Sequence, residues 1–387
     1  MTTTRRRWHI SALAAAALIV AGCGGGNTDS PLAERVVVFG DSLSDVGTYT
    51  PATSLTPTPG AAPYFGGKWT TNTFAEYALA PAGTTRRANT STSNIWVEWI
   101  AARLGVAITP AEVGFGPTRV PCPAQASGLA ASCTGYAQGG SRVTDPNGIG
   151  RTSGALTIPI VDQIASHNTR TVTGFKSGFD SGDIVFVFGG NNDVFVLADA
   201  VGGGLIAPDA AAVAIQTVGT ELATLVKTEI IAKGASRVVV MTLPDSAATP
   251  FGSTLSADGR ALLTGLSAAF NTALLAGLDG SGARIIDARA LNAAVQAAPS
   301  SFGLTNITTP ACDAAKISAI TGGAVTTGQS LFCNASAGVP FNGIRTGASA
   351  STYLFADGVH PTTGGHKIFA DQVWTQLKNF GWAPANL

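Results

Sequence analysis

Four short apolar runs without polar alternation punctuate the chain: "RVVVFG" at 35–40, "DIVFVFGG" at 183–190, "SRVVVMTLPD" at 236–245 and "ARIIDA" at 283–288. A strand with one wet face alternates apolar and polar positions, whereas a strand that does not alternate is buried on both faces, as in a parallel sheet covered by helices. The segments between these runs have the helical period. "NIWVEWIAARLG" (94–105) places Ile95, Trp99 and Leu104 on or near one face, and 209–233 and 257–278 are long, rich in alanine and leucine, and free of proline. Strand, helix and strand in alternation predict a doubly wound α/β structure with right-handed crossovers.

Three stretches break the pattern. Residues 50–93 and 106–135 are rich in Pro, Thr, Gly and Ala, and 289–352 carries two of the cysteines. They are expected to form long loops over one end of the sheet, where open α/β proteins place their ligands. No internal repeat or change of composition divides the chain, so residues 35–387 are read as one domain.

The N-terminus changes the picture of where that domain resides. "MTTTRRRWHISALAAAALIVAGCGGG" has a basic start, an apolar run too short to span a bilayer comfortably, and then small residues, the layout of an export signal over 1–22. Its end, Val20-Ala21-Gly22-Cys23, resembles a bacterial lipobox, in which Cys23 becomes the lipidated first residue and 23–34 a flexible tether. An ordinary cleaved signal is the alternative, and the arginines leave both the general and the twin-arginine export routes open. A further apolar run of membrane-spanning length is not expected, so attachment would be through the lipid alone.

Removing 1–22 takes away three arginines and no acids from a chain of 23 basic and 23 acidic residues, leaving a charge of −3. That balance gives no electrostatic footprint for nucleic acid or for an anionic membrane surface. The four remaining cysteines, Cys122, Cys133, Cys312 and Cys333, suit two disulfides in an exported chain; pairing 122–133 and 312–333 is one of three possibilities. Each bridge would be worth on the order of 3 kcal/mol if unstrained.

The candidate chemistry lies at the ends of the apolar runs. "FGDSLSD" presents Ser42 just past a strand, without the second glycine of a G-x-S-x-G elbow, since Ser44 stands there. Alone, Ser42 reads equally as a helix cap. "FADGVHPTTGGHKIFADQVW" (355–374) sets Asp357 and His360 at i, i+3, so one turn brings carboxylate and imidazole together. A carboxylate at Nδ1 fixes the tautomer of a histidine, the side chain best suited to proton transfer near neutral pH.

His366, which follows Gly364-Gly365 and opens the last amphipathic segment, is read as a packing or capping residue, and His167 as a surface residue. "FGGNND" ends a buried strand with an amide side chain that can point into the same crevice as Ser42, and "YAQGGS" offers Gly139 and Gly140, whose missing Cβ lets backbone N–H groups approach a ligand; alone, they read as an Asn-rich turn and a Gly-Gly loop. "NGIGRTSG" (147–154) neither follows a clear strand nor ends in Gly-Lys-Ser/Thr, so it is read as a loop rather than a phosphate cradle.

The ordered set "GDSLSDVG", "YAQGGS", "GNND" and "DGVHPT" resembles the four sequence blocks of the GDSL family of SGNH hydrolases, with similarity over most of 35–380. The resemblance implies a three-layer α/β/α, flavodoxin-like fold around a mostly parallel sheet of about five strands with long insertions. It implies hydrolysis of carboxylic esters through an acyl-enzyme, with Ser42 as nucleophile, His360 as base and Asp357 as its acid partner. The oxyanion donors implied are the Ser42 and Gly140 amides and the Asn192 side chain, with Gly139 and Asn191 as the respective alternatives. No metal or organic cofactor and no obligate protein partner is implied. The substrate remains open among small esters, lipids, phospholipids and acylated polysaccharides, and the alternative of another class is a non-catalytic envelope binding lipoprotein.

Overall fold

The computed structural model describes residues 32–50, 67–73, 91–336 and 342–384, with the backbone alone of Tyr77–Leu79 and Thr85–Arg87. The expected export signal, Cys23 and nearly all of the tether lie outside the described residues. In chain order the strands are β1 (Arg35–Gly40), β2 (Tyr77–Leu79), β3 (Thr85–Arg87), β4 (Glu112–Phe115), β5 (Thr118–Pro121), β6 (Asp183–Phe188), β7 (Val238–Met241) and β8 (Arg284–Ile286). The α-helices are α1 (Trp96–Arg103), α2 (Ile160–Thr169), α3 (Asn191–Gly202), α4 (Pro208–Leu225), α5 (Pro250–Ser253), α6 (Ala257–Leu278), α7 (Ala288–Ala297), α8 (Ala314–Ile320) and α9 (Thr363–Asn379).

The four non-alternating runs form one parallel sheet of order β1-β6-β7-β8. Val36, Val37, Val38 and Phe39 of β1 and Ile184, Val185, Phe186 and Val187 of β6 are completely buried, which is why neither strand alternates. The expected sheet was of about five strands. A fifth segment does run along the free edge of β1, where Val38 N–H donates to Thr134 O and the amides of Tyr136 and Gln138 donate to Val38 O and Gly40 O. It pairs with β1 only through an isolated bridge between Val38 and Gly135, so it is not a regular strand. β2–β3 and β4–β5 are separate two-stranded hairpins in the insertions.

Helix α4 runs on into a π-helical turn, Val226–Ile231. On α1 the buried set is Trp96, Val97, Ile100 and Ala101, flanked by Ile95 and Leu104; Trp99, expected on that face, is only half-buried. Contrary to expectation, α6 is long and apolar enough to cross a membrane by length and composition. Here its Leu263, Leu266, Phe270, Leu274 and Leu278 belong to the main core, so it reads as a core helix.

The insertions are stapled. Cys122 is bonded to Cys133 (S–S 1.98 Å) and Cys312 to Cys333 (1.94 Å).

His167 is a correction. It is fully buried, not on the surface, in a cage of Phe39, Tyr136, Phe175 and Phe179, with the Phe179 ring centroid 4.5 Å away. Burial, with Arg35 and Arg170 nearby, pushes its pKa down to about 3. A histidine that charges in the unfolded chain but stays neutral when folded withdraws stability as pH falls below its unfolded value near 6.5. A folded His167→Gln protein is therefore expected to show a flatter fall in stability than wild type between about pH 6 and pH 4, by up to about 1.4 kcal/mol per pH unit. Parallel denaturation curves in that window would show that His167 does not titrate this way.

Candidate active site

Strand β1 ends where β6 crowds it. A Cβ on Gly40 would lie 2.1 Å from Phe188 O, so glycine is needed for the close approach. The chain then turns through a short 3₁₀ segment, Ser42–Ser44, capped by Asp41, whose Oδ1 accepts from Leu43 N–H at 3.0 Å. Ser44, which stands where an elbow glycine would, is fully buried and accepts from Trp96 Nε1 at 3.2 Å. The turn leaves the Ser42 side chain at the wall of a cavity of about 1670 Å³.

From the other end of the chain, the loop before α9 brings His360 to the same wall. His360 Nε2 lies 2.8 Å from Ser42 Oγ, and its Nδ1 lies 2.9 Å from each carboxylate oxygen of Asp357. Asp357 also accepts the amides of Ser330 (2.9 Å), Val359 (3.0 Å) and His360 (2.8 Å). Burial alone would raise this carboxyl, but the facing His360 and the N–H donors outweigh it and hold it well below the usual carboxylate range. An imidazole whose Nδ1–H is bound by a carboxylate presents its Nε2 lone pair, here to a serine hydroxyl. The Trp69 ring lies against that imidazole, centroids 4.6 Å apart.

His366 is not beside Ser42. It is buried inside α9, a helix that begins three residues earlier at Thr363 and is capped by Thr362 Oγ1. Its Nδ1 accepts weakly from Trp96 N–H, and its Nε2 faces Trp69 O, each at 3.4 Å. Burial lowers its pKa to about 3.

Two further segments that carry candidate donors line the same cavity as Ser42. Gly139 and Gly140 are not equivalent: Gly139 N–H donates to Asp45 Oδ2 at 2.9 Å, while among the described residues the amides of Gly140 and Ser42 meet no acceptor. Gly140 has φ +82°, and a Cβ there would lie 2.1 Å from Ile149 O, so only glycine fits. Asn191 and Asn192 are likewise distinct. Asn191 Nδ2 donates to Asp41 Oδ2 at 3.0 Å, whereas Asn192 Nδ2 donates to Ser141 O at 2.8 Å and has a second hydrogen left, at a residue that lines the cavity.

The neighbouring Asp193 is tied to Arg142 and to Val143 N–H. Burial lifts its pKa to about 6 against those partners. The described residues contain no group of His, Cys, Asp and Glu that could hold a metal ion.

The family comparison covers nearly the whole of this fold: the model of the GDSL-like Lipase/Acylhydrolase family matches residues 36–373. The chain belongs to that family. It is accordingly a hydrolase of ester bonds, of esterase or lipase type. The GDSL match spans the Ser42 turn, the Gly139–Gly140 loop, the α3 start and the Asp357–His360 loop. Compared with the curated proteins, the chain matches none.

Three features of this GDSL site were not read from the sequence. Trp69 sits in a segment taken only as a loop. The Ser330 donor is a backbone amide, which carries no residue signature. Asp45, whose Oδ2 accepts from Gly139 N–H, carries only its place three residues after the serine as a signal in the sequence.

Proposed function

We propose that the protein is a serine carboxylesterase of lipase-like type that works through an acyl-enzyme. The observation that carries the reading is the continuous contact from Ser42 Oγ to His360 Nε2 and from His360 Nδ1 to Asp357. In it, Ser42 Oγ attacks the ester carbonyl as His360 Nε2 takes its proton, and His360 then gives that proton to the leaving alcohol. Asp357, already a carboxylate, stabilises the imidazolium. Water enters by the same route and releases the acid. The amides of Ser42 and Gly140 and the Asn192 side chain receive the negative charge on the carbonyl oxygen.

The cavity beside Ser42 favours an apolar acyl group, since Tyr49, Trp69, Phe115, Phe195, Phe251 and Leu262 are among the residues that line it. We place the enzyme in the cell envelope or outside it, held by a lipid on Cys23. The lipobox-like end of the N-terminal segment supports this, and two disulfides suit an oxidising compartment.

The test of substrate class is hydrolysis of p-nitrophenyl acetate, butyrate, octanoate and palmitate. An optimum at an acyl chain longer than acetyl is expected. Activity confined to acetate would favour an O-acetyl esterase.

Asn192→Ala is expected to lower kcat by about 10²–10³ with its circular dichroism unchanged, the usual scale for one oxyanion donor. A folded Asn192→Ala protein with the wild-type rate would remove Asn192 from the mechanism.

A further inference from the structure

Asp45 is a buried carboxylate to which the mechanism above gives no task. It is only 1 % exposed, and among the described residues no basic side chain forms an ion pair with it. Backbone amides meet both of its oxygens: Oδ1 accepts from Gly47 (2.9 Å) and Thr48 (2.7 Å), and Oδ2 from Gly139 (2.9 Å). Its own N–H closes the serine turn on Ser42 O at 3.4 Å. Asp45 thus touches the nucleophile's turn through its backbone and the glycine loop through its side chain.

We propose that Asp45 is a positioning residue for ester hydrolysis: by holding the Gly139 amide, its carboxylate sets the next peptide so that Gly140 N–H faces the developing oxyanion. The inference rests on the oxyanion reading given above and adds the group that preorganises it. The loop is confined from other directions as well. A Cβ on Gly139 would lie 2.3 Å from Trp69 Nε1, and one on Gly140 2.1 Å from Ile149 O. These walls limit where the loop can go, but a wall does not orient an N–H. A buried acid whose two oxygens meet three N–H groups does: burial raises its pKa, the N–H donors oppose that and favour the carboxylate, and hydrogen bonds to a carboxylate are stronger than neutral ones, the more so at low dielectric.

Asparagine keeps the shape but offers one acceptor and an NH₂ group. Whichever way it turns, either Gly139 N–H or the Gly47 and Thr48 pair faces a donor. The orientation that keeps two of the three bonds, with the amide oxygen toward Gly47 and Thr48, turns the NH₂ toward Gly139, so in Asp45→Asn the Gly139–Gly140 peptide is released while substrate contacts remain.

The experiment measures steady-state kinetics of wild type, Asp45→Asn, Asn192→Ala and the double variant on p-nitrophenyl butyrate. Rates are taken per active site titrated with a fluorophosphonate, and affinities are measured for an alkyl boronic acid and for an unreactive ether analogue of the substrate. Asp45→Asn is expected to lower kcat about 10–10²-fold with KM within about twofold. Boronic acid binding should weaken in step with kcat/KM while the ether binds as before. Because both single variants act on one oxyanion, their losses should combine to less than the product.

A rate per titrated site within about twofold of wild type overturns the proposal. So does a loss that multiplies fully with Asn192→Ala and leaves boronic acid affinity unchanged, since that is what a merely structural role gives. A harmless Asn192→Ala would instead defeat the oxyanion reading itself. If Asp45→Asn does not fold, hydrogen exchange of the wild-type Gly139 amide decides: slow exchange supports its bond to Asp45, and exchange at the rate of an open loop overturns it.

Discussion

Ser42→Ala is expected to fold and to lose activity by about 10⁴–10⁶ in kcat, the scale seen when a serine nucleophile is removed from an acyl-transfer site. The small structural cost follows from the contacts. Ser42 is half-buried, and its hydroxyl makes one side-chain hydrogen bond, to His360 Nε2. The turn that carries it is held by other groups, namely the Asp41 cap, the Asp45 N–H to Ser42 O bond, and Trp96 on Ser44. Removing one oxygen should therefore change stability by only about 1 kcal/mol. Thermal unfolding together with p-nitrophenyl butyrate turnover checks both parts. Retained turnover in a folded Ser42→Ala protein would place the chemistry elsewhere.

His360→Ala should be nearly as damaging, and combining it with Ser42→Ala should cost little more, because nucleophile and base act as one unit. The informative contrast is His366→Ala. Both histidines are buried and only six residues apart, yet only His360 reaches Ser42 Oγ, while His366 packs between Trp96 and Trp69 with a pKa near 3. His366→Ala should therefore cost stability through the cavity it leaves, with kcat reduced less than about tenfold. Equal losses of kcat/KM in the two folded variants would show that the base has been misassigned.

What the sequence disclosed follows from where the information is stored. The sheet was legible because two-sided burial removes polar alternation, as in Val36–Phe39 and Ile184–Val187. The Asp357–His360 contact was legible because an i, i+3 spacing is local. The edge segment alongside β1 was not, because Thr134, Gly135 and Ala137 carry no strand pattern and their order comes from the hydrogen bonds of β1. His167 was misread for a related reason: the aromatic rings that enclose it come from Phe39, Tyr136, Phe175 and Phe179, and no local window contains them all.

The choices between neighbours, Gly139 or Gly140 and Asn191 or Asn192, turn on which amide already has an acceptor. Asp45 engages Gly139 and Asp41 engages Asn191. Such bookkeeping needs coordinates. The α6 helix shows the converse error, since its apolar length marks a core element of this fold as well as it would mark a membrane span.

The central claim is that Ser42 is the residue acylated by the ester. The most direct measurement is to react the folded protein with a fluorophosphonate, digest it and locate the added mass. The account predicts one adduct, on Ser42, formed at a rate that collapses in His360→Ala and absent from Ser42→Ala. An adduct on another residue, or none on folded protein that hydrolyses p-nitrophenyl esters, would contradict it.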